Sequence, residues 1–232
     1  MSEKINAFLK LNEKFSNAGF SLFLVGGTVR DYLLGLPLTD MDAVTDATPD
    51  EVKSFLNLKA DYTFAKYGSI KLTYENIKFD ITTLREESSY HDSRHPNKIN
   101  FIKDLSIDVL RRDFALNGLY LDKDLNVIDY VNGQNDLKLK TLKMIGEPNK
   151  RIKEDPLRIL RAIRFALDFD FIFDKELELA IRNNISLLDK INIEKIKLDM
   201  KKLKCKDRDK IRSIFKPRIF HDNFALVSQN SK

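Results

Sequence analysis

GGTVRDYLLGLPLTDMDAVT, Gly26–Thr45, is the stretch on which the reading of this chain turns. Ahead of it Ser21–Val25 (SLFLV) reads as a buried strand, and Gly26-Gly27 follows at once. A glycine pair between a strand and a helix lets backbone approach a phosphate closely while helix N–H groups point at it. It is also an ordinary tight turn. The helix predicted over Thr28–Leu34 carries Arg30, whose planar guanidinium can grip a triphosphate in a fork, and it stops at Gly35 and Pro37. Asp40–Val44 reads as the next strand. Side chains alternate along a strand, so Asp40 and Asp42 share a face. Two adjacent carboxylates repel unless a cation sits between them, and hard oxygen ligands plus substrate phosphates are how Mg²⁺ is held. The same D-x-D is common in turns and on exposed strands. Asp80, flanked by Phe79 and Ile81, would make a triad from a neighbouring strand, or would be a ladder residue balancing Arg85.

Outward from this stretch, Ser2–Ala18 places Ile5, Phe8, Leu9, Leu11 and Phe15 at helical spacing, with charges throughout and no small-residue cleavage site. No export signal is read, and the run Phe20–Val25 is far shorter than the roughly 18 residues of a membrane span. A cytoplasmic chain without membrane association is expected. The chain has 232 residues, 43% hydrophobic and 32% charged, with 8 Gly, 6 Pro and one Cys. That excludes collagen-like and disordered chains, and lone Cys205 excludes a disulfide framework or a four-cysteine zinc site. A net charge of +5 favours anionic partners, although an AT-rich genome would also enrich Lys.

Thr48 and Pro49 predict a capped helix to about Leu58, and Lys71–Tyr74 and Lys78–Thr83 read as paired strands around Glu75-Asn76. Glu86–Asn100, polar and non-periodic, reads as a loop. A helix is predicted around Ile107–Asn117, then strands at Leu119–Leu121 and Val127–Asp129. From Lys150 onward Glu154–Phe169, Lys175–Ile185 and Ile193–Leu203 carry apolar residues at helical spacing. An α+β fold follows, with the mixed part first and an all-α part second.

Gly26–Thr45 closely resembles the signature of the tRNA nucleotidyltransferase and bacterial poly(A) polymerase family, among the DNA polymerase beta-like nucleotidyltransferases. Further motifs stand in order. Arg111-Arg112-Asp113-Phe114 with Asn117 resembles the family's second motif, Asp129–Gly133 with Asp136-Leu137 the third, Glu154-Asp155-Pro156-Leu157-Arg158 the fourth, and Ile193–Ile196 the fifth. The resemblance covers roughly residues 20–203. It implies a nucleotidyltransferase head of mixed sheet and helices over 1–147, a helical neck over 148–205 and a basic segment over 206–232. Family members continue through a helical body and tail that hold tRNA, whereas this sequence ends at Lys232. Either the chain is truncated, or another molecule, dimerisation or the basic stretch Lys190–Arg218 supplies the grip on tRNA, that stretch reading equally as an exposed helix face. Ala115 and Gly118 depart from the second motif, which often has a hydroxyl residue and alanine there.

On one continuous helix advancing about 100° per residue, Glu154, Asp155, Arg158, Arg161 and Arg164 form a charged arc opposite Ile159, Leu160, Ile163 and Leu167. An aspartate accepts from a base amine and an arginine donates to ring nitrogen or carbonyl, so such a pair can read a base edge. An amphipathic helix has the same two arcs. By resemblance, Asp155 and Arg158 read CTP or ATP, Glu154 holds Arg158, and Arg161 and Arg164 line the pocket. Gly26, Gly27, Arg30, Arg111, Asp113 and Asn117 bind the nucleotide, with Arg112 alternatively pairing Asp113. Asp40 and Asp42 hold Mg²⁺, two ions being expected, with Asp80 as a third catalytic carboxylate. The implied reaction adds CCA to the tRNA 3′ end from CTP and ATP. An A-adding enzyme, a poly(A) polymerase and a noncatalytic RNA-binding remnant are the alternatives. The long segment Glu86–Asn100 resembles the loop accompanying ATP acceptance, and His91, His95 and His221 need no catalytic role.

Overall fold

In the computed structural model, which describes residues 2–90 and 96–207, the elements follow the expected alternation. They are α1 (Glu3–Asn17), β1 (Leu22–Val25), α2 (Gly27–Leu33), β2 (Met41–Thr45), α3 (Pro49–Phe55), β3 (Ala60–Asp61), β4 (Ser69–Tyr74), β5 (Ile77–Thr83), β6 (Arg85–Tyr90), β7 (Pro96–Phe101), α4 (Leu105–Asp108), β8 (Leu119–Leu121), β9 (Val127–Asp129), α5 (Gly133–Leu139), β10 (Thr141–Leu142), α6 (Pro148–Glu154), α7 (Leu157–Phe169), β11 (Ile172–Phe173), α8 (Lys175–Asn184) and α9 (Ile193–Met200). No helix among the described residues is long and apolar enough to cross a membrane.

The chain divides into two compact units between Leu137 and Lys138. The first is built on a seven-stranded mixed sheet in the order β3-β4-β5-β2-β1-β8-β9. Only β2 and β5 run parallel within it. The β4–β5 hairpin turns at Glu75 (φ 47°) and Asn76 (φ 62°), two left-handed residues that match the twist of the strands. On one face Met41, Ala43, Ile70, Leu72, Phe79 and Ile81 are buried. The alternate positions Asp42, Lys71 and Asp80 take the other face, as a period of two dictates. Helix α1 contributes Ile5, Phe8, Leu11 and Phe15 to the core, and the Phe15 and Phe20 rings meet Phe55 of α3 at 5.1 and 5.5 Å between centroids. Thr48 and Glu51 cap α3 reciprocally.

Two expectations fail in this unit. The predicted loop Glu86–Asn100 is in part the antiparallel pair β6–β7, with Arg85 opposite Phe101 and Glu87 opposite Ile99. Polar residues suit a two-stranded ribbon, and the sequence of this one lacks the period-two apolar alternation by which a half-buried strand is read. His91, Asp92, Arg94 and His95 lie outside the described residues. The predicted helix Ile107–Asn117 breaks into α4 and short 3₁₀ turns at Val109–Arg111 and Ala115–Asn117, since Arg112 and Phe114 adopt extended backbone.

In the second unit Thr141 and Leu142 pair in parallel with Ile172 and Phe173, which attaches residues 141–142 to the helices. The helix predicted as continuous over Glu154–Phe169 is interrupted: α6 ends at Glu154 and α7 begins at Leu157. Proline disfavours helical backbone in the residue before it and lacks an N–H, and Asp155 accordingly sits at φ −148°, ψ 94°. Ile159, Leu160, Ile163 and Leu167 of α7 are buried as the apolar arc requires. Asn184 Nδ2 of α8 donates to Asn149 Oδ1 of α6 at 2.9 Å. Of the basic segment 206–232, residues beyond 207, His221 included, lie outside the described ones.

Candidate active site

The carboxylates gather where β2 and β5 run side by side. Asp42 is directly opposite Asp80 across the parallel pair, and exposed Asp40 immediately precedes β2. Thr28 at the start of α2 fixes this entry: its hydroxyl donates to the Asp40 carbonyl at 3.1 Å and accepts the Asp42 N–H at 2.9 Å. Burial pushes the Asp42 carboxyl up, and the Asp80 and Asp40 charges add to it, to about 6, against the opposing pull of the Arg112 and Arg30 guanidiniums. Asp80 meets Lys71 Nζ at 3.3 Å through Oδ2, while its buried Oδ1 has no hydrogen-bond partner. Asp80 therefore faces Lys71, not Arg85, whose guanidinium pairs with Glu87 at 2.7 Å. Hard oxygens crowded on one face, one of them buried and unsatisfied, suit a divalent cation. Among the described residues no three His, Cys, Asp or Glu side chains are grouped closely enough to enclose an ion.

Beside them, Gly26 holds φ +65° and ψ −129°, a conformation open to glycine and strained for other residues. A Cβ on Gly27 would stand 3.5 Å from Arg30 Nη2. Arg30 is 7% exposed, and Nε and Nη2 both donate to Asp31 Oδ1, at 2.9 and 2.7 Å. Its Nη1 donates to Asn117 Oδ1 at 3.1 Å. Asp113 in turn accepts from the Phe114 N–H and from Asn117 Nδ2. First and second motifs thus meet at the glycine turn.

The two arginines of the second motif converge on a residue the sequence reading passed over. Asp108 is wholly buried and accepts from Arg111 Nε (2.8 Å), Arg112 Nη2 (2.7 Å), Tyr120 Oη (2.9 Å) and the Arg85 N–H (3.2 Å). Burial alone would raise its carboxyl. Arg112 and Arg111 outweigh that and hold it at about 2. Arg112 pairs with Asp108, so the alternative pairing with Asp113 is corrected. Spacing carried the signal, because Asp108 stands three and four residues before the arginines.

The third motif is scaffolding. Asp129 accepts the N–H groups of Val131, Gly133 and Gln134 at 3.0 Å each, tying the turn into α5. A Cβ on Gly133 would lie 2.2 Å from the Ala115 carbonyl oxygen, so only glycine lets this turn seat against the segment that presents Asn117.

In the second unit, Glu154 Oε2 accepts from Arg151 Nη1 at 2.7 Å and Arg158 Nη1 at 3.3 Å. Asp155 Oδ1 accepts the Leu157 N–H, and its Oδ2 meets Arg161 Nη2 at 2.9 Å. Asp155 and Arg158 are both buried, at 8% and 4% exposure. Arg164 lies with its guanidinium 5.1 Å from the Phe165 ring centroid.

Residues 22–143 match the family model described as the poly A polymerase head domain. The chain is 37% identical over 191 residues to a CCA-adding enzyme of Staphylococcus epidermidis and 40% identical over 191 residues to one of Limosilactobacillus reuteri. Each alignment takes in 82% of this chain but only 48% and 47% of the relative. The fold is similar to the Bacillus stearothermophilus CCA-adding enzyme in complex with CTP, with a TM-score of 0.79 at 30% identity, covering 88% of this chain and 49% of that one. It is also similar to a Thermotoga maritima CCA-adding enzyme complexed with tRNA, with a TM-score of 0.74 at 25% identity over 93% and 51% of the two chains. This chain spans about half the length of the relatives it matches. With the glycine turn, paired aspartates and arginine motifs in their order, it belongs to the poly A polymerase head-domain family, which CCA-adding tRNA nucleotidyltransferases share.

Proposed function

We propose that this chain is the nucleotidyl-transferring part of a CCA-adding enzyme, which extends the tRNA 3′ end with C, C and A from CTP and ATP and releases pyrophosphate. The observation that carries the reading is Asp42 set opposite Asp80 and tied through its N–H to Thr28, the residue after Gly26-Gly27, on the helix that also carries the Arg30–Asn117 bond. Asp40 and Asp42 would hold Mg²⁺, with Asp80 as the third carboxylate. When bound, Mg²⁺ supplies activation of the 3′-hydroxyl and neutralisation of the departing pyrophosphate. The glycine turn admits the triphosphate against backbone. Arg30 orients that turn through Asn117, a positioning role, since its fork is engaged by Asp31. Arg111 and Asp113 stabilise the same wall. Asp155 and Arg158 read the base edge by accepting from the amine and donating to the ring, with Glu154 setting Arg158, and Arg161 and Arg164 flanking them. No side chain acts as nucleophile; catalysis is positioning and charge neutralisation.

A second reading, addition of A alone or poly(A) synthesis, is favoured by the family description itself. The deciding experiment extends a tRNA transcript ending at the discriminator base with Mg²⁺ and CTP, ATP or both, resolved to single nucleotides. Two additions with CTP and three with both are the expected result. Extension with ATP alone, into a long tail on this transcript or by a single A on one already ending in CC, establishes the second reading, and absence of any transfer to either transcript refutes both.

A further inference from the structure

Away from the carboxylates, at the β3 edge of the sheet, lies a cavity of about 620 Å³ lined by Lys53, Ser54, Leu56, Asn57, Lys59 and Tyr62. Lys53 Nζ stands 5.7 Å from the Tyr62 ring centroid, and just beyond, Lys66 Nζ stands 4.8 Å from that of Tyr67. Phe64 between them is 51% exposed. From Lys53 to Lys71 the chain carries Lys53, Lys59, Lys66 and Lys71 against one acid, Asp61, whose carboxylate is taken up by the Thr63 N–H and hydroxyl at 2.8 and 2.6 Å. Lys53 sits in the last turn of α3, where a cation offsets helix carbonyls. Lys59 and Lys66 lie past the helix and have no such account.

The strip is joined to the carboxylates by register. Asp61 is opposite Lys71, Lys71 opposite Asp80, and Asp80 opposite Asp42. That row crosses three strand spacings, about 14 Å. Cations that track a backbone, interleaved with aromatic faces on which bases stack, are the means of gripping RNA without reading sequence. An acidic peptide would use the lysines and leave exposed Phe64 and half-buried Tyr62 without a role.

We infer that this groove is an RNA-binding surface, in which Lys53 and Lys59 contact phosphates of the acceptor strand and Tyr62 packs against a base. The inference rests on the proposed transfer to tRNA and assigns a grip on that RNA to the first unit itself.

The test titrates a labelled tRNA transcript lacking CCA with the whole chain, by fluorescence anisotropy from 50 to 200 mM salt, alongside nucleotide incorporation at saturating tRNA. Lys53→Gln/Lys59→Gln should weaken binding about 5- to 30-fold and flatten the salt slope by about 1 to 2. Tyr62→Ala should weaken it about tenfold. Incorporation at saturating tRNA stays near the parent level in both. Because Lys53 and Lys59 are exposed, the double variant carries the test if Tyr62→Ala fails to fold. Unchanged affinity and slope in the double variant, with a parent chain that extends the transcript, overturns the groove alone. A parent chain that neither binds nor extends RNA overturns the functional reading and the groove with it.

Discussion

Replacing Asp108 by Asn keeps the shape of the side chain and removes its charge. Asp108 is wholly buried beneath two guanidiniums, a phenol and a backbone N–H. Removing one partner of a buried pair costs about 3–5 kcal/mol, because the remaining charges keep their desolvation penalty without compensation. The pH dependence gives an independent handle. The folded carboxyl is held at about 2, below the ordinary 3.8. A depressed folded pKa contributes stability that is present above the unfolded value and lost as pH falls through the folded one. The shift corresponds to roughly 2.5 kcal/mol in full, of which about 1 kcal/mol disappears between pH 5 and pH 3. Urea unfolding of parent and variant at both pH values measures the gap between them, from which titrations common to the two cancel. The gap should be about 3–5 kcal/mol at pH 5 and narrow by about 1 kcal/mol at pH 3. A gap under 1 kcal/mol, or one that does not change with pH, would refute the assignment of Asp108 as the anion that holds Arg111 and Arg112.

Gly133→Ala forces a carbon to within 2.2 Å of the Ala115 carbonyl, so a loss of about 2–4 kcal/mol in thermal or urea unfolding is expected; a loss below 1 kcal/mol would mean the turn shifts freely. For Asp42→Asn the sign is reversed, since a carboxyl raised from 3.8 to about 6 withdraws stability as pH rises through 6. The metal-free variant should exceed the parent by about 1–3 kcal/mol at pH 8, the excess fading toward pH 4, while nucleotide transfer is abolished; a variant less stable than the parent at pH 8 contradicts this. Arg158→Ala should blur the choice between CTP and ATP more than it slows total incorporation, and intact selectivity in a competition assay would argue against base reading by Arg158.

Much of the first unit was legible because its signals are local. Glu75-Asn76 between alternating runs gives the β4–β5 hairpin, and Thr48, Pro49 and Glu51 give the start of α3 from four consecutive residues. The site was legible as a set of residues but not as a set of partners. Arg30 and Asn117 are far apart in the chain, and no periodicity tells that a guanidinium drawn as a phosphate fork has its fork on its own neighbour Asp31. Tyr120 escaped for the same reason, and Asp108, although spaced three and four residues before Arg111 and Arg112, shows its burial between them only in the fold. The β6–β7 ribbon was missed because alternation is a signature of burial, and a polar ribbon has little to bury.

The break at Asp155-Pro156 shows how one residue converts a pattern into a different mechanism. On an unbroken helix, residues six apart lie about 240° from one another around the axis and about 9 Å along it, so Asp155 could not meet Arg161. With α6 closed at Glu154 and α7 opened at Leu157, the Asp155 carboxylate turns back over the first turns of α7 and closes on Arg161 at 2.9 Å. Glu154, still on α6, reaches forward across the same break to Arg158 and sideways to Arg151. Two carboxylates from the end of one helix therefore brace arginines on the next, with the proline fixing the angle between the segments. Cross-bracing restricts the rotamers of Arg158 and Arg161 before any base arrives, which lowers the ordering cost of recognition. A charged arc on a continuous helix would leave each arginine to its own conformational freedom. The broken helix gives Arg158, proposed to read the base, and Arg161 beside it fixed positions, as discrimination between a cytosine and an adenine edge by direct hydrogen bonds requires.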